Sequence, residues 1–168
     1  MANTFFLIAK QTLATTETLV EFLNIPQTYT DLKLLVSVRD TNTGTNWNNM
    51  QMRFNGLSTD QTWRFMRGYN NNVPDGSVNA GAVETWINFG NSAANTFGSA
   101  EIYVFNYKDS TFKPVDIKAT AAVRSADSLN AFMVGLWSAT APITSVGFAA
   151  QGNFAINSSF YLYGIKKD

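Results

Sequence analysis

The chain contains no cysteine and no histidine. Without cysteine there is no disulfide, no thiolate nucleophile and no thiolate-bound metal or cluster. Without histidine the imidazole base, the Ser-His-Asp triad and the commonest zinc ligand are missing as well. Charge is scarce: Asp, Glu, Lys and Arg make up 14% of the 168 residues, against about 25% in an ordinary globular domain. Acids and bases balance at 12 each, and no basic cluster stands out. Phosphate backbones are bound through Lys and Arg, so no nucleic-acid partner is expected. No apolar run approaches the ~20 residues of a membrane helix, and no membrane partner is expected. Thr4 to Ala9 is too short for the core of a secretory signal and no basic segment precedes it. The chain is expected to remain in the compartment where it is made.

What the chain does have is apolar and uncharged polar side chains. Hydrophobic residues reach 45% and aromatic residues 14%, and most of the polar complement is Asn, Thr, Ser and Gln. A soluble monomer normally carries a charged surface and a net charge away from zero. The composition therefore predicts a subunit of an assembly.

Period-2 alternation dominates. Leu32, Leu34, Val36 and Val38 share one parity, with Asp31, Lys33, Ser37 and Arg39 on the other, and Leu35 alone breaks the pattern. Met50, Met52 and Phe54 repeat it. So do Val83, Thr85, Ile87 and Phe89, then Val115, Ile117 and Ala119, and Phe132, Val134 and Leu136 form a further face. Ile102–Tyr107 and Phe160–Ile165 are apolar on both parities. They are predicted as central strands covered on both sides, or as strands with one face on a neighbouring subunit. Turn signals at Asn24-Ile25-Pro26, Thr43-Gly44, Asn55-Gly56, Pro74-Asp75-Gly76, Lys108-Asp109-Ser110 and Gln151-Gly152-Asn153 separate the runs. Gly68–Gly81 and Gly90–Gly98 read as irregular, and Ser125–Asn130 as one helical turn. The pattern predicts an all-β, jelly-roll-like antiparallel β-sandwich of eight to ten strands. Residues 1–14 form an N-terminal arm or first strand, and residues 15–168 a single domain.

With His and Cys absent, carboxylates are the remaining catalytic groups. A glycosidase needs two of them across the scissile bond. Glu84, Glu101, Asp60 and Asp75 are the candidates, and nothing in their spacing brings two together. Asn70, Asn71, Asn72 and Asp75 read as a polar turn, not a calcium loop. No catalytic residue, cofactor or metal is expected. Arg39, Arg53, Arg64, Arg67 and Arg124 are candidates for a basic patch, but Arg64 and Arg67 fall on opposite parities of one strand. Phe5 and Phe6, near the N-terminus, are candidate partner contacts. Trp47, Trp63 and Trp86, with Asn, Asp and Gln beside the first two, are candidate glycan platforms, since sugars stack on exposed aromatic rings. Trp137 completes the set of four.

Several segments carry a family resemblance. They are Ile25-Pro26-Gln27-Thr28-Tyr29-Thr30-Asp31-Leu32-Lys33-Leu34 followed by Val38-Arg39 and Met52-Arg53-Phe54-Asn55-Gly56, then Ile102–Tyr107, then Phe154–Ile165 ending Phe160-Tyr161-Leu162-Tyr163-Gly164-Ile165. Together they resemble small structural proteins of tailed bacteriophages. The resemblance implies a jelly-roll-like sandwich in a virion and a non-enzymatic capsid decoration (cement) protein. Such a protein binds the lattice of the major capsid protein, forms homotrimers and stabilises the head on the capsid surface after synthesis in the host cytoplasm. The alternative it leaves open is a head-fibre or tail receptor-binding module for host surface glycans. Gly164 is expected to let a neighbouring chain approach the last strand.

Overall fold

The computed structural model describes residues 4–43, 48–69, 75–122 and 128–166, with the backbone alone for residues 48, 69 and 75–80. Twelve strands are present: β1 (Phe5–Thr12), β2 (Glu17–Phe22), β3 (Asp31–Val38), β4 (Asn48–Phe54), β5 (Gln61–Tyr69), β6 (Asp75–Ala80), β7 (Glu84–Ile87), β8 (Gly98–Val104), β9 (Lys113–Ala122), β10 (Ser128–Trp137), β11 (Val146–Phe154) and β12 (Ser159–Ile165). No helix occurs among the described residues.

The strands form two antiparallel sheets, ordered β1-β12-β3-β8-β9-β10-β5-β6 and β2-β11-β4-β7. Eight of them carry a jelly roll. The set β1-β12-β3-β8 packs on β2-β11-β4-β7, and counted among themselves these run 1-8-3-6 and 2-7-4-5. Two interlocked Greek keys produce that order. The other four strands are two hairpins: β5–β6 lies between β4 and β7 in sequence, and β9–β10 lies between β8 and β11. Both join the free edge beyond β8, because β9 pairs with β8 and β10 with β5. These hairpins double the width of one sheet, and they take the strand count above the eight to ten the sequence predicts. Residues 5–12 take the first-strand form of the N-terminal expectation, paired along β12 as an edge strand.

Burial follows the alternation nearly everywhere. Leu32, Leu34, Val36 and Val38, Met50, Met52 and Phe54, Val115, Ile117 and Ala119, and Phe160 and Leu162 all enter one core. The exception is β10. Leu129, Ala131, Met133 and Trp137 face the core, so Phe132 and Val134 point outward, 56% and 53% exposed. Both parities of this strand are apolar, so hydrophobicity alone chose the wrong one. The inward set fits because Gly135 lies under Val83: a Cβ at Gly135 would stand 2.7 Å from Val83 Cγ2. A one-residue slip inverts every side chain of a strand.

The turns explain much of the Asn content. Asn24, Asn55, Asn95, Asn106 and Asn157 all have positive φ, a conformation Asn tolerates better than other side-chain-bearing residues. Asn55-Gly56, with φ of 52° and 76°, makes the tight turn that Phe54 and Leu57 close with reciprocal backbone bonds. The Asn55 side chain also pins residues 142–145: Nδ2 donates to Pro142 O at 2.9 Å, and Oδ1 accepts from the Thr144 and Ser145 amides at 2.8 and 3.2 Å. Asn55→Ala is expected to cost about 2 kcal/mol in chemical denaturation, from a strained φ plus amides left without an acceptor. Gln151-Gly152-Asn153 is not a turn between strands but an irregularity inside β11, where the register with β2 shifts between Ala149 and Phe154. Buried Asp40 shapes it, accepting from the Gly152 and Asn42 amides at 3.1 and 2.8 Å. Asp75–Ala80, within a stretch predicted irregular, is β6. Gly44, Asn70–Asn72, Pro74 and residues 125–127 of the predicted helical turn lie outside the described residues, and Ser128–Asn130 open β10 as strand.

The segments that carry the resemblance meet at one corner. The Tyr29 ring lies on Gly164, where any Cβ would collide with it, and Phe6 packs on Tyr29 at 5.7 Å between ring centroids. Gly164 thus admits Tyr29 of its own chain, not a neighbouring chain. Tyr107 donates its hydroxyl hydrogen to Pro26 O. Asp31, fully buried, accepts from the Tyr103 hydroxyl and the Asn106 amide, both at 2.8 Å.

Candidate functional site

Most of the groups that carry chemistry are committed to holding the scaffold. Arg39 donates to Ala93 O at 2.7 Å, to Gly90 O and Ser92 O at 2.8 Å, and to Thr96 O at 3.1 Å. It therefore fixes the 90–97 loop and is not part of a basic patch. Arg67 lies over the rings of Phe65 and Trp86, 5.2 and 5.1 Å from their centroids. Arg53 stands on the outer face of the smaller sheet and Arg64 on that of the larger. Arg124 lies outside the described residues. Buried Lys113 donates to the carbonyls of Thr111, Thr140 and Ala141 at 2.6, 3.1 and 2.8 Å, with its ammonium 5.5 Å from the Trp137 ring centroid.

Among the described side chains the candidate carboxylates do not converge, and the Asp75 side chain lies outside them. Glu84 faces outward from the smaller sheet, where Asn49 and Gln51 on β4 donate to its two oxygens at 2.7 and 2.9 Å. Glu101 faces outward from the larger sheet and pairs with Lys33 at 2.9 Å. That hydrogen bond holds the Glu101 carboxyl below its usual range. Stacked sheets lie about 10 Å apart, so these two glutamates on opposite outer faces cannot flank one bond. Asp60 sits in a turn at φ 59°. No group of three or more metal-ligating acids is found among the described residues.

The tryptophans are core residues. Trp63, Trp86 and Trp137 are 6%, 5% and 1% exposed, and Trp63, Phe65 and Trp86 pack ring on ring at 4.9 to 6.0 Å. The hairpin insertion causes this: β5 extends the larger sheet over the edge strand β7 and covers a Trp86 whose parity pointed outward. Neither Trp63 nor Trp86 offers a ring face to a sugar. Trp47 lies outside the described residues. Of the N-terminal pair, Phe5 is 53% exposed and Phe6 is half-buried against Tyr29.

The surface that remains is the outer face of the larger sheet. The strand registers place its side chains in rows. One row crosses from β1 to β5 as Lys10, Tyr161, Leu35, Glu101, Lys118, Phe132 and Met66. The next runs Leu7, Tyr163, Lys33, Tyr103, Asp116, Val134 and Arg64. A third is small and polar: Thr12, Ser159, Ser37, Ser99, Thr120 and Asn130. An antiparallel sheet with one solvated face normally presents polar residues there. This one presents Leu7, Met66, Phe132 and Val134 at 52 to 56% exposure, with half-buried Tyr103, Tyr161 and Tyr163 between them. At the β9-β10-β5 end it forms a shallow depression of about 430 Å³ lined by Arg64, Met66, Asp116, Lys118, Phe132 and Val134. The signal for this face was in the sequence, in the strands apolar on both parities, but the aromatic count drew attention to the tryptophans instead.

Tyr103 reports on this face through pH. Burial, then its hydrogen bond to Asp31, pushes its pKa up to about 12, and burial raises that of Tyr107 as well. Above pH 10 the unfolded chain releases a proton that the folded chain keeps, so stability falls as pH climbs towards 12. Denaturation midpoints measured from pH 9 to 12 should fall, and less steeply in Tyr103→Phe.

Comparison with protein-family models, curated proteins and solved structures finds no match to this chain.

Proposed function

We propose that the chain is a non-enzymatic structural protein of a virion, a capsid decoration protein that binds the lattice of the major capsid protein and stabilises the head. The observation that carries the reading is the outer face of the eight-stranded sheet. It is broad, bears exposed aromatic and aliphatic side chains, and is left uncovered by any other layer among the described residues. Exposed apolar area of this extent marks a surface that works by contact. Two further points support the reading. The segments resembling phage structural proteins are the ones that staple the sandwich corner together. The buried polar groups Asp31, Asp40 and Lys113, and the half-buried Arg39, are spent on loops and turns. A contact of about 1,600 Å², repeated over a shell, raises the barrier to rupture with no chemistry.

The test is co-sedimentation of the purified protein with shells assembled from the major capsid protein of the virus that encodes it. Saturable binding with a fixed number of copies per shell, and a higher shell-rupture temperature when bound, are the expected results. Protein left in the supernatant at all concentrations would refute the reading.

A further inference from the structure

We propose that the outer face of β9, β10 and β5 is an isologous contact between two copies of this chain, an inference that goes beyond the virion reading and leaves the β1-β12-β3-β8 end of the same face for a lattice contact. Phe132 and Val134 stand at its centre on β10. Across β10, Asp116 on β9 and Arg64 on β5 flank Val134, while Lys118 and Met66 flank Phe132 in the same way. Two strand spacings are about 9.6 Å, with Val134 standing between, so Asp116 and Arg64 of one chain do not meet.

A second copy brings them together. Two sheets stacked face to face about a two-fold axis along β10 set β9 of one copy over β5 of the other. Asp116 then meets Arg64 of the second copy, and the same pair forms again on the other side of the axis. Val134 lies on Val134, Phe132 on Phe132, and the aliphatic stem of Lys118 covers Met66. A two-fold across the strands would instead set Asp116 against Lys118. The first arrangement is the better match, because Lys118 already acts on Glu101, its cross-strand neighbour. Arg64 stands beside the uncharged Val134 in its row.

Size allows a pair as well. Strands of this length span about 30 Å, and the three from β9 to β5 cover about 14 Å, so each copy offers roughly 430 Å² in projection. Two copies together bury upward of about 860 Å², at the low end of protein–protein contacts. An apolar centre with a rim of charge is the usual anatomy of such an interface. The family resemblance implies a three-fold particle, whereas this face is built for a two-fold one.

Sedimentation equilibrium of the full chain is the test. The expected result is a dimer whose dissociation constant rises at least about ten-fold in Phe132→Asp. Asp116→Arg and Arg64→Asp should each weaken it, and the double variant, which restores the opposite charges across the axis, should regain most of the affinity. All three positions are at the surface, so circular dichroism should show the same strand content and melting in each variant. A monomer throughout, a three-fold particle, an oligomer indifferent to Phe132→Asp, or a double variant no tighter than the singles overturns the proposal.

Discussion

Gly164→Ala is expected to lower the stability of the fold by about 3 kcal/mol, among the largest effects available to one methyl group. The new Cβ would collide with the Tyr29 ring, and neither side can yield. Gly164 is paired on both flanks, with Phe6 on β1 and Leu32 on β3, so the strand cannot withdraw. Tyr29 is held by the Phe6 ring, and the next residue, Thr30, donates its amide to Ile165 O at 2.8 Å. Overpacking of a site that cannot relax costs about 1–3 kcal/mol and occasionally more. Urea denaturation of the wild type, Gly164→Ala, Tyr29→Ala and the double variant measures it. In the Tyr29→Ala background the added methyl should cost under about 1 kcal/mol, because the ring it strikes is gone. Equal costs in both backgrounds would show that the contact is not the cause.

The second large effect is at Lys113. Lys113→Met keeps the length of the side chain and removes the ammonium that the carbonyls of Thr111, Thr140 and Ala141 share. Those carbonyls are left without their donor, and the 139–141 segment loses its tie to β9. A loss of about 3 kcal/mol is expected, at the scale of several orphaned acceptors. The pH dependence separates this from simple repacking. Burial lowers the pKa of Lys113 from its ordinary value of 10.5. Below 10.5 the unfolded chain therefore holds a proton that the folded chain gives up more readily. The contribution is fully present above that pH and is lost as pH falls through the lowered pKa. Measured against Lys113→Met, the wild type should gain stability as pH rises towards 10.5, over and above the fall that the tyrosines impose on both proteins from pH 9. The difference between the two denaturant midpoints from pH 8 to 10.5 decides it, and parallel curves would contradict the assignment.

The sandwich was legible in the sequence because its strands alternate with period 2 and because Asn55-Gly56 is a strong turn signal. The face of β10 was not. Phe132, Val134 and Leu136 look like a core stripe until Gly135 and Trp137 are seen to need the other side, and only the pairing with β9 and β5 reveals that. The tryptophans misled for a related reason. Trp86 has an outward parity, and its burial depends on Trp63 and Phe65 of β5, more than 20 residues earlier in the chain. Gly164 signalled a close approach correctly, but nothing local said that the approaching group was Tyr29. Arg39 read as a candidate for a basic patch and Lys113 carried no signal at all, since the carbonyl cages around them are assembled by distant loops. Long-range pairing set each of these, and period-2 patterning carries no information about which strand lies beside which.

The proposed function has this sandwich work by adhesion through the broad face of its larger sheet. A cryo-electron microscopy map of washed particles of the virus to which the proposal assigns it tests this most directly. The expected result is density for the sandwich at repeated positions on the outside of the head, with the β9-β10-β5 face buried in a contact. Particles that lack the chain, or that display it with that face open to solvent, would contradict it.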